Sequence, residues 1–198
     1  MENSITLFLE SVRSICPELT QTELRQFSKK LSNTAFRKKE IFIPAGQVQQ
    51  SVGFIINGLI RSYYVDQDGS ERTVRFYAEK DYATHYTAFI TQQPSKYTFQ
   101  CLENTVLVLL SYENMQWAYQ HIPRFQKYGR LVAEEILKMQ QHRIESFIFQ
   151  TAEERYIDFI NTYPEIYSRV SLSHLCSYLG IERQTLTRIR QKLARQKF

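Results

Sequence analysis

The chain has 198 residues, 43% hydrophobic and 23% charged, with a formal net charge of +5, the make-up of a globular protein with its own core. Its longest apolar run, near 106–110, is far too short to cross a bilayer, and the opening Met1–Ser4 lacks a basic and apolar leader, so no membrane association or export is expected. Three cysteines (Cys16, Cys101, Cys176), odd in number and without a C-x-x-C, exclude a disulfide framework and a thiolate metal site and fit a reducing cytoplasm.

Residues 1–33 carry helical patterns. Ile5, Phe8, Leu9 and Val12 share one face, and Pro17 and Thr20 restart a helix that carries Leu24 and Phe27. From Thr34 the period becomes two. Strand-like runs at 40–43, 53–56, 59–65, 72–77, 97–101 and 106–110 are separated by Pro44-Ala45-Gly46, Asn57-Gly58, Asp66-Gln67-Asp68-Gly69 and Glu103-Asn104. Short, evenly spaced strands with aromatics at 14% imply a compact barrel or roll.

After Pro123 a long helix is expected. Phe125, Tyr128, Val132, Ile136 and Met139 recur at threes and fours, the stripe of a two-helix seam, so the helix is expected to build a homodimer. Gly129 beside the stripe would permit close backbone approach. A further helix begins near Glu153 and ends near Tyr163-Pro164.

The last stretch, Ser171 to Gln191, predicts two short helices crossing at a tight turn. Leu175, Leu179, Ile181, Leu186 and Ile189 supply the shared core, Gly180 the turn that needs a positive φ, and Cys176 the small residue at the crossing. Such a unit places its second helix in a DNA groove. Leu186, Ile189 and Leu193 face inward, leaving Arg183, Thr187 and Gln191 in one outward row and Gln184 and Arg188 beside it. Arg and Gln are the side chains that read guanine and adenine edges, so Arg183, Gln184, Arg188 and Gln191 are the base-contacting candidates. Ser171, Ser173, Thr185, Thr187 and Arg190 form the phosphate-side set. Glu182 is placed with them at the helix start, where its charge also suits the exposed N–H groups. From Glu182 onward there are six basic residues against one acid, a surplus equal to the net charge of the whole chain. The body is neutral and the tip is basic.

A roll, a long helix and a C-terminal helix-turn-helix, in that order, resemble the Crp/Fnr family of bacterial transcription regulators over essentially the whole chain. The most family-like pieces are Phe54 to Arg61 with Asp68-Gly69, and Cys176 to Ile181 leading to Thr185–Ile189. The resemblance implies an α+β fold. An N-terminal double-stranded β-helix (β-roll, 1–118) is followed by a dimerisation helix (119–148) and a winged-type helix-turn-helix with its wing reduced (149–198). It also implies a homodimer on dyad-symmetric double-stranded DNA that works with RNA polymerase. The family's base-contacting Arg-Glu and following Arg fall on Arg183, Gln184 and Arg188. Gln for Glu exchanges a cytosine contact for an adenine-type one, so a different operator is expected.

In cyclic-nucleotide-binding members a Gly-Glu pair meets the ribose and an Arg-Ser/Thr pair the phosphate. Here Thr84-His85 and Ser95-Lys96 stand at those places, and Lys lacks the bidentate fork of Arg. These four residues mark an effector pocket, but a cyclic nucleotide is not expected and the effector stays unnamed. His85, His121, His142 and His174 show no metal-ligand spacing, and no cofactor or metal is expected. Two other readings need different features: a cupin-like enzyme needs a metal triad or acid–base pair in the roll, and none is visible. A ligand sensor would use its C-terminal helices to dock protein.

Overall fold

The computed structural model describes residues 2–196; Lys197, counted above in the basic tip, lies outside them. The described elements are α1 (Glu2–Ile15), α2 (Gln21–Ser28), β1 (Ser32–Phe36), β2 (Ile41–Ile43), β3 (Ser51–Asn57), β4 (Ile60–Val65), β5 (Glu71–Tyr77), β6 (Tyr82–Ala83) and α3 (Tyr86–Thr91). They continue with β7 (Thr98–Cys101), β8 (Thr105–Ser111), α4 (Tyr112–His121), α5 (Pro123–Phe149), α6 (Ala152–Thr162), α7 (Pro164–Arg169), α8 (Leu172–Leu179) and α9 (Arg183–Gln196). The chain packs as two compact units. The first runs to Ser62 and resumes over Phe76–Lys138; the second takes Tyr63–Arg75 and everything from Met139 onward.

The strands form two four-stranded sheets, ordered β1-β8-β3-β6 and β2-β7-β4-β5. The pairs β1–β8, β3–β8, β3–β6 and β2–β7 are antiparallel. This is the roll expected from the period-two stretch. Alternation along the strands divides its side chains between two cores. Ile55, Ala83 and Leu107 join Ile43, Ile60, Phe99 and Cys101 in one cluster. Their neighbours Phe54, Tyr82 and Val108 turn the other way, into a cluster with Phe8, Val12, Phe27, Ile122, Phe125 and Tyr128. The helical stretches α1, α2 and the start of α5 thus cover the outer face of the first sheet.

Local chemistry sets the helix ends. Thr20 caps α2 through a reciprocal box, its hydroxyl accepting from Glu23 N while Glu23 accepts from Thr20 N at 2.8 Å. Pro123 opens α5, where its missing N–H leaves nothing unsatisfied. Five elements carry no pattern that the sequence reading used: β1, β6, α3, α4 and α7. β6 has two residues and α3 and α7 six each, too few for a period to register. α4 leaves β8 without a loop, because Ser111 ends the strand and also caps the helix by accepting from Asn114 N at 3.1 Å.

Candidate functional site

Within the second unit, the helix-turn-helix stands where the sequence placed it. Ser171 caps α8 by accepting from His174 N at 3.2 Å, and Gly180 ends it with φ +68°. That conformation disfavours any side chain, and a Cβ there would also press on Phe147 at 2.9 Å. Leu175, Cys176, Leu179, Leu186 and Ile189 are buried, together with Tyr156, Phe159 and Ile166 from α6 and α7. Burial among these residues raises the pKa of Cys176.

With Leu186 and Ile189 turned inward, Arg183, Gln184, Thr187, Arg188, Arg190 and Gln191 are all exposed on α9. Arg188 Nη2 donates to Thr185 Oγ1 at 3.3 Å, and Thr187 Oγ1 donates to the Arg183 carbonyl at 3.0 Å. Ser171 and Ser173 hydroxyls lie 3.1 Å apart at the exposed start of α8. Glu182 directly precedes α9, its carbonyl accepting from Leu186 N at 3.1 Å. Its carboxylate repels phosphate and is suited to the helix start, so it differs in kind from the other phosphate-side positions.

Two arginines hold this unit in ways the sequence did not announce. Arg155 Nε donates to the Leu179 carbonyl at 3.1 Å and its Nη1 to the Gln150 carbonyl at 2.7 Å. Arg143 donates to the Tyr178 carbonyl, and its guanidinium lies 3.7 Å from the centre of the Tyr178 ring and 4.3 Å from that of Phe147. Both cations therefore meet the carbonyl end of α8, where the helix dipole favours positive charge. Burial lowers the pKa of Arg143, and Arg155 nearby adds to the shift. The segment 63–75 also belongs to this unit. Ser177 Oγ accepts from Thr73 N at 2.8 Å and donates to the Glu71 carbonyl at 2.9 Å.

In the first unit, Thr84, His85 and Ser95 do come together. Gln49 links them: its Nε2 donates to Thr84 Oγ1 at 2.9 Å and its Oε1 accepts from His85 N at 3.1 Å. His85 Nδ1 is 3.2 Å from Ser95 Oγ, which donates to the Tyr97 carbonyl at 2.8 Å and accepts from Tyr97 N at 3.1 Å. Thr84 and Ser95 are buried, whereas Lys96 is exposed. Burial, reinforced by the Lys96 charge, lowers the His85 pKa. Gln49 and Tyr97 have no mark in the sequence, because a glutamine and a tyrosine in connecting segments carry no spacing signal.

The expected seam on α5 needs correction. Phe125 and Tyr128 are 1% and 5% exposed and belong to the core of the first unit. Val132 packs against the same core and Ile136 is buried, while the Met139 sulfur accepts from Arg75 Nη2 at 3.1 Å. An amphipathic stripe demands a partner without saying which one, and here Phe125 and Tyr128 found theirs within the chain. Gly129 likewise makes room for the Tyr119 ring, which a Cβ would overlap. The apolar side chains that α5 leaves open are others, among them Leu137, Ile144 and Ile148, at 65%, 54% and 64% exposure. They lie seven and four residues apart, on one stripe of the helix.

Among the described residues no group of three His, Cys, Asp or Glu side chains is arranged to hold a metal, and no helix is long and apolar enough to cross a membrane. His142 pairs with Asp158 at 3.2 Å and His121 stacks on Trp117.

Residues 33–121 match the cyclic nucleotide-binding domain. The anaerobic regulatory protein of Haemophilus influenzae is 26% identical over 90% of this chain and 74% of its own length. FixK2 from Bradyrhizobium japonicum superposes with a TM-score of 0.67 at 18% identity, over 84% of this chain and 86% of that one. The c-di-GMP responsive global regulator CLP of Xanthomonas campestris gives 0.70 at 14% identity, over 90% and 93%. The likeness establishes the fold, a mixed α+β chain with an eight-stranded roll followed by C-terminal helices.

Proposed function

We propose that the chain is a homodimeric, sequence-specific DNA-binding regulator of the Crp/Fnr type, a reading supported by the cyclic nucleotide-binding domain match and by the likeness to an anaerobic regulatory protein. The observation that carries this reading is the face of α9, where Arg183, Gln184, Arg188 and Gln191 are exposed opposite the buried Leu186 and Ile189. Side chains of these types, on a helix held at its entry by a tight turn, suit base edges in the major groove. Arg190 with the Ser171 and Ser173 hydroxyls suits flanking phosphates.

Leu137, Ile144 and Ile148 are the surface on which two copies of α5 would meet. A dimer formed there presents two α9 helices to half-sites about 34 Å apart, so the operator is a two-fold symmetric sequence. The protein acts with RNA polymerase in the cytoplasm and is a regulator, not an enzyme.

A cyclic nucleotide fits the cassette poorly. Thr84, His85 and Ser95 spend their polar atoms on Gln49, Tyr97 and one another, and no arginine lies between Pro94 and Tyr97. The test is selection of sites by the full chain from a random duplex pool, followed by salt titration of the selected site. Dyad-symmetric enrichment and a steep loss of affinity with salt are expected. Recovery of no preferred sequence would overturn the reading.

A further inference from the structure

β5 is an edge strand of its sheet, so one side of its backbone has no neighbouring strand to bond with. Ser177 of α8 occupies that side. Its Oγ accepts from Thr73 N at 2.8 Å and donates to the Glu71 carbonyl at 2.9 Å. A hydroxyl can donate and accept at once, so one short side chain satisfies both edge groups. The connecting ends of β4 and β5, Tyr63–Arg75, belong to the second unit together with α8 and α9.

The turn that this contact holds on α8 is well ordered and acidic. The Asp66 carboxylate accepts from Asp68 N at 3.0 Å, from Ser70 N at 2.9 Å and from Arg72 Nε at 2.6 Å, while Gly69 takes φ +77°. Asp66, Asp68 and Glu71 stand against Arg72 alone, three acids and one base, for a net charge of −2. Asp68 and Glu71 are exposed. The turn also lies near the start of α9: Asp66 raises the Arg72 pKa, and the charge of Glu182 adds to that shift. Ser173, on the phosphate side of α8, precedes Ser177 by four residues and shares its face, about 6 Å away along the axis. A DNA strand that reaches Ser173 therefore meets the negative turn within a screening length of about 10 Å at moderate salt. The closed contact carries its own cost, because the buried Thr73 hydroxyl finds no hydrogen-bond partner among the described residues.

We propose that the Ser177 contact is an autoinhibitory latch: it holds the acidic 66–72 turn beside the phosphate-side face of α8, and its release raises affinity for DNA. In the closed form the charge of the turn opposes phosphate. Opening returns the Thr73 hydroxyl and the β5 edge to water, and takes Asp68 and Glu71 away from α8. The inference rests on the DNA-binding reading and on contacts within the second unit alone.

The full chain and its variants are titrated with a non-specific duplex at several salt concentrations, while amide exchange at Thr73 reports the latch. Asp68→Asn/Glu71→Gln is expected to bind about fivefold more tightly at low salt, the repulsion of two unit charges about 8 Å from one phosphate in water. That gain should shrink as salt rises. Ser177→Ala should gain a similar factor and speed exchange at Thr73. Ser177→Thr, which keeps the hydroxyl, should do neither. A contact that merely supports the reading helix would make Ser177→Ala bind more weakly. Faster Thr73 exchange in Ser177→Ala without tighter binding would overturn the latch, as would a charge variant that gains nothing. Should Ser177→Ala fail to fold, the charge variant, which changes only exposed side chains, still decides the matter. Binding by the unaltered chain with no gain in the variants sinks the latch alone. If no form binds the duplex, the DNA-binding reading falls with it.

Discussion

Arg155 on α6 closes the C-terminal end of α8 by donating from Nε to the Leu179 carbonyl at 3.1 Å, one residue before the turn at Gly180. The same guanidinium reaches the Gln150 carbonyl at 2.7 Å. A single side chain thus joins the end of α8 to the segment entering α6. Arg155→Met keeps the apolar stem and strands both carbonyls. It is expected to lower stability by about 2 kcal/mol in denaturant titration. DNA affinity should fall by a similar factor for every sequence, since no base contact is touched.

Arg183→Ala and Arg188→Ala act differently, because both side chains are exposed and support no packing. Each is expected to cost about 1–3 kcal/mol on the selected operator and to relax preference at one base position per half-site. Footprinting and competition with non-specific duplex separate the two effects. The melting temperature should not move.

Gly180→Ala places a Cβ at φ +68° and within 2.9 Å of the Phe147 ring. A loss of about 1–2 kcal/mol is expected from the backbone alone. Gly180→Asn should lose less than Ala, because asparagine tolerates the left-handed conformation. Thermal unfolding of the two variants side by side checks this order.

The α5 surfaces make opposite predictions. Ile144→Lys or Ile148→Glu changes exposed positions and should give folded monomers in sedimentation equilibrium. Phe125→Ala removes a side chain packed 4.1 Å, centroid to centroid, from Phe27 in the core. It should lower stability by about 3–5 kcal/mol without shifting the dimer equilibrium of the folded fraction. A monomer produced by Phe125→Ala with unchanged stability would reverse the assignment of the two faces.

His85 makes stability depend on mildly acidic pH. Its folded pKa lies below the unfolded value of about 6.5, because burial and the Lys96 charge disfavour imidazolium. As pH falls below about 6.5, the unfolded chain takes up a proton that the folded chain refuses, so stability drops. The drop ends once pH passes the folded pKa, where both states are protonated. His85→Gln should remove this component, and denaturant midpoints measured across pH 5–8 would reveal it as a flatter profile.

The order of roll, long helix and crossed C-terminal helices, and the outward face of α9, were legible in the sequence because they rest on local rules. Period two marks the strands from Ile41 to Leu110, period 3.6 marks α9, and Gly180 is required by a backbone angle at one residue. What a stripe packs against is not local. Phe125, Tyr128 and Val132 have the spacing of a dimer seam, yet Phe8, Phe27 and Phe54 arrive from more than 70 residues away to cover that side. Only the folded chain decides that competition, since the apolar face gains equally from either partner. The hydrogen bond between the Tyr82 and Tyr128 hydroxyls is decided the same way, by strand direction at β6 and helix rotation at α5. The sequence by itself determined which residues of α9 face outward. The tertiary structure decided how Arg143 and Arg155 hold the end of α8 that precedes it, because a carbonyl freed there takes whatever donor the packing brings.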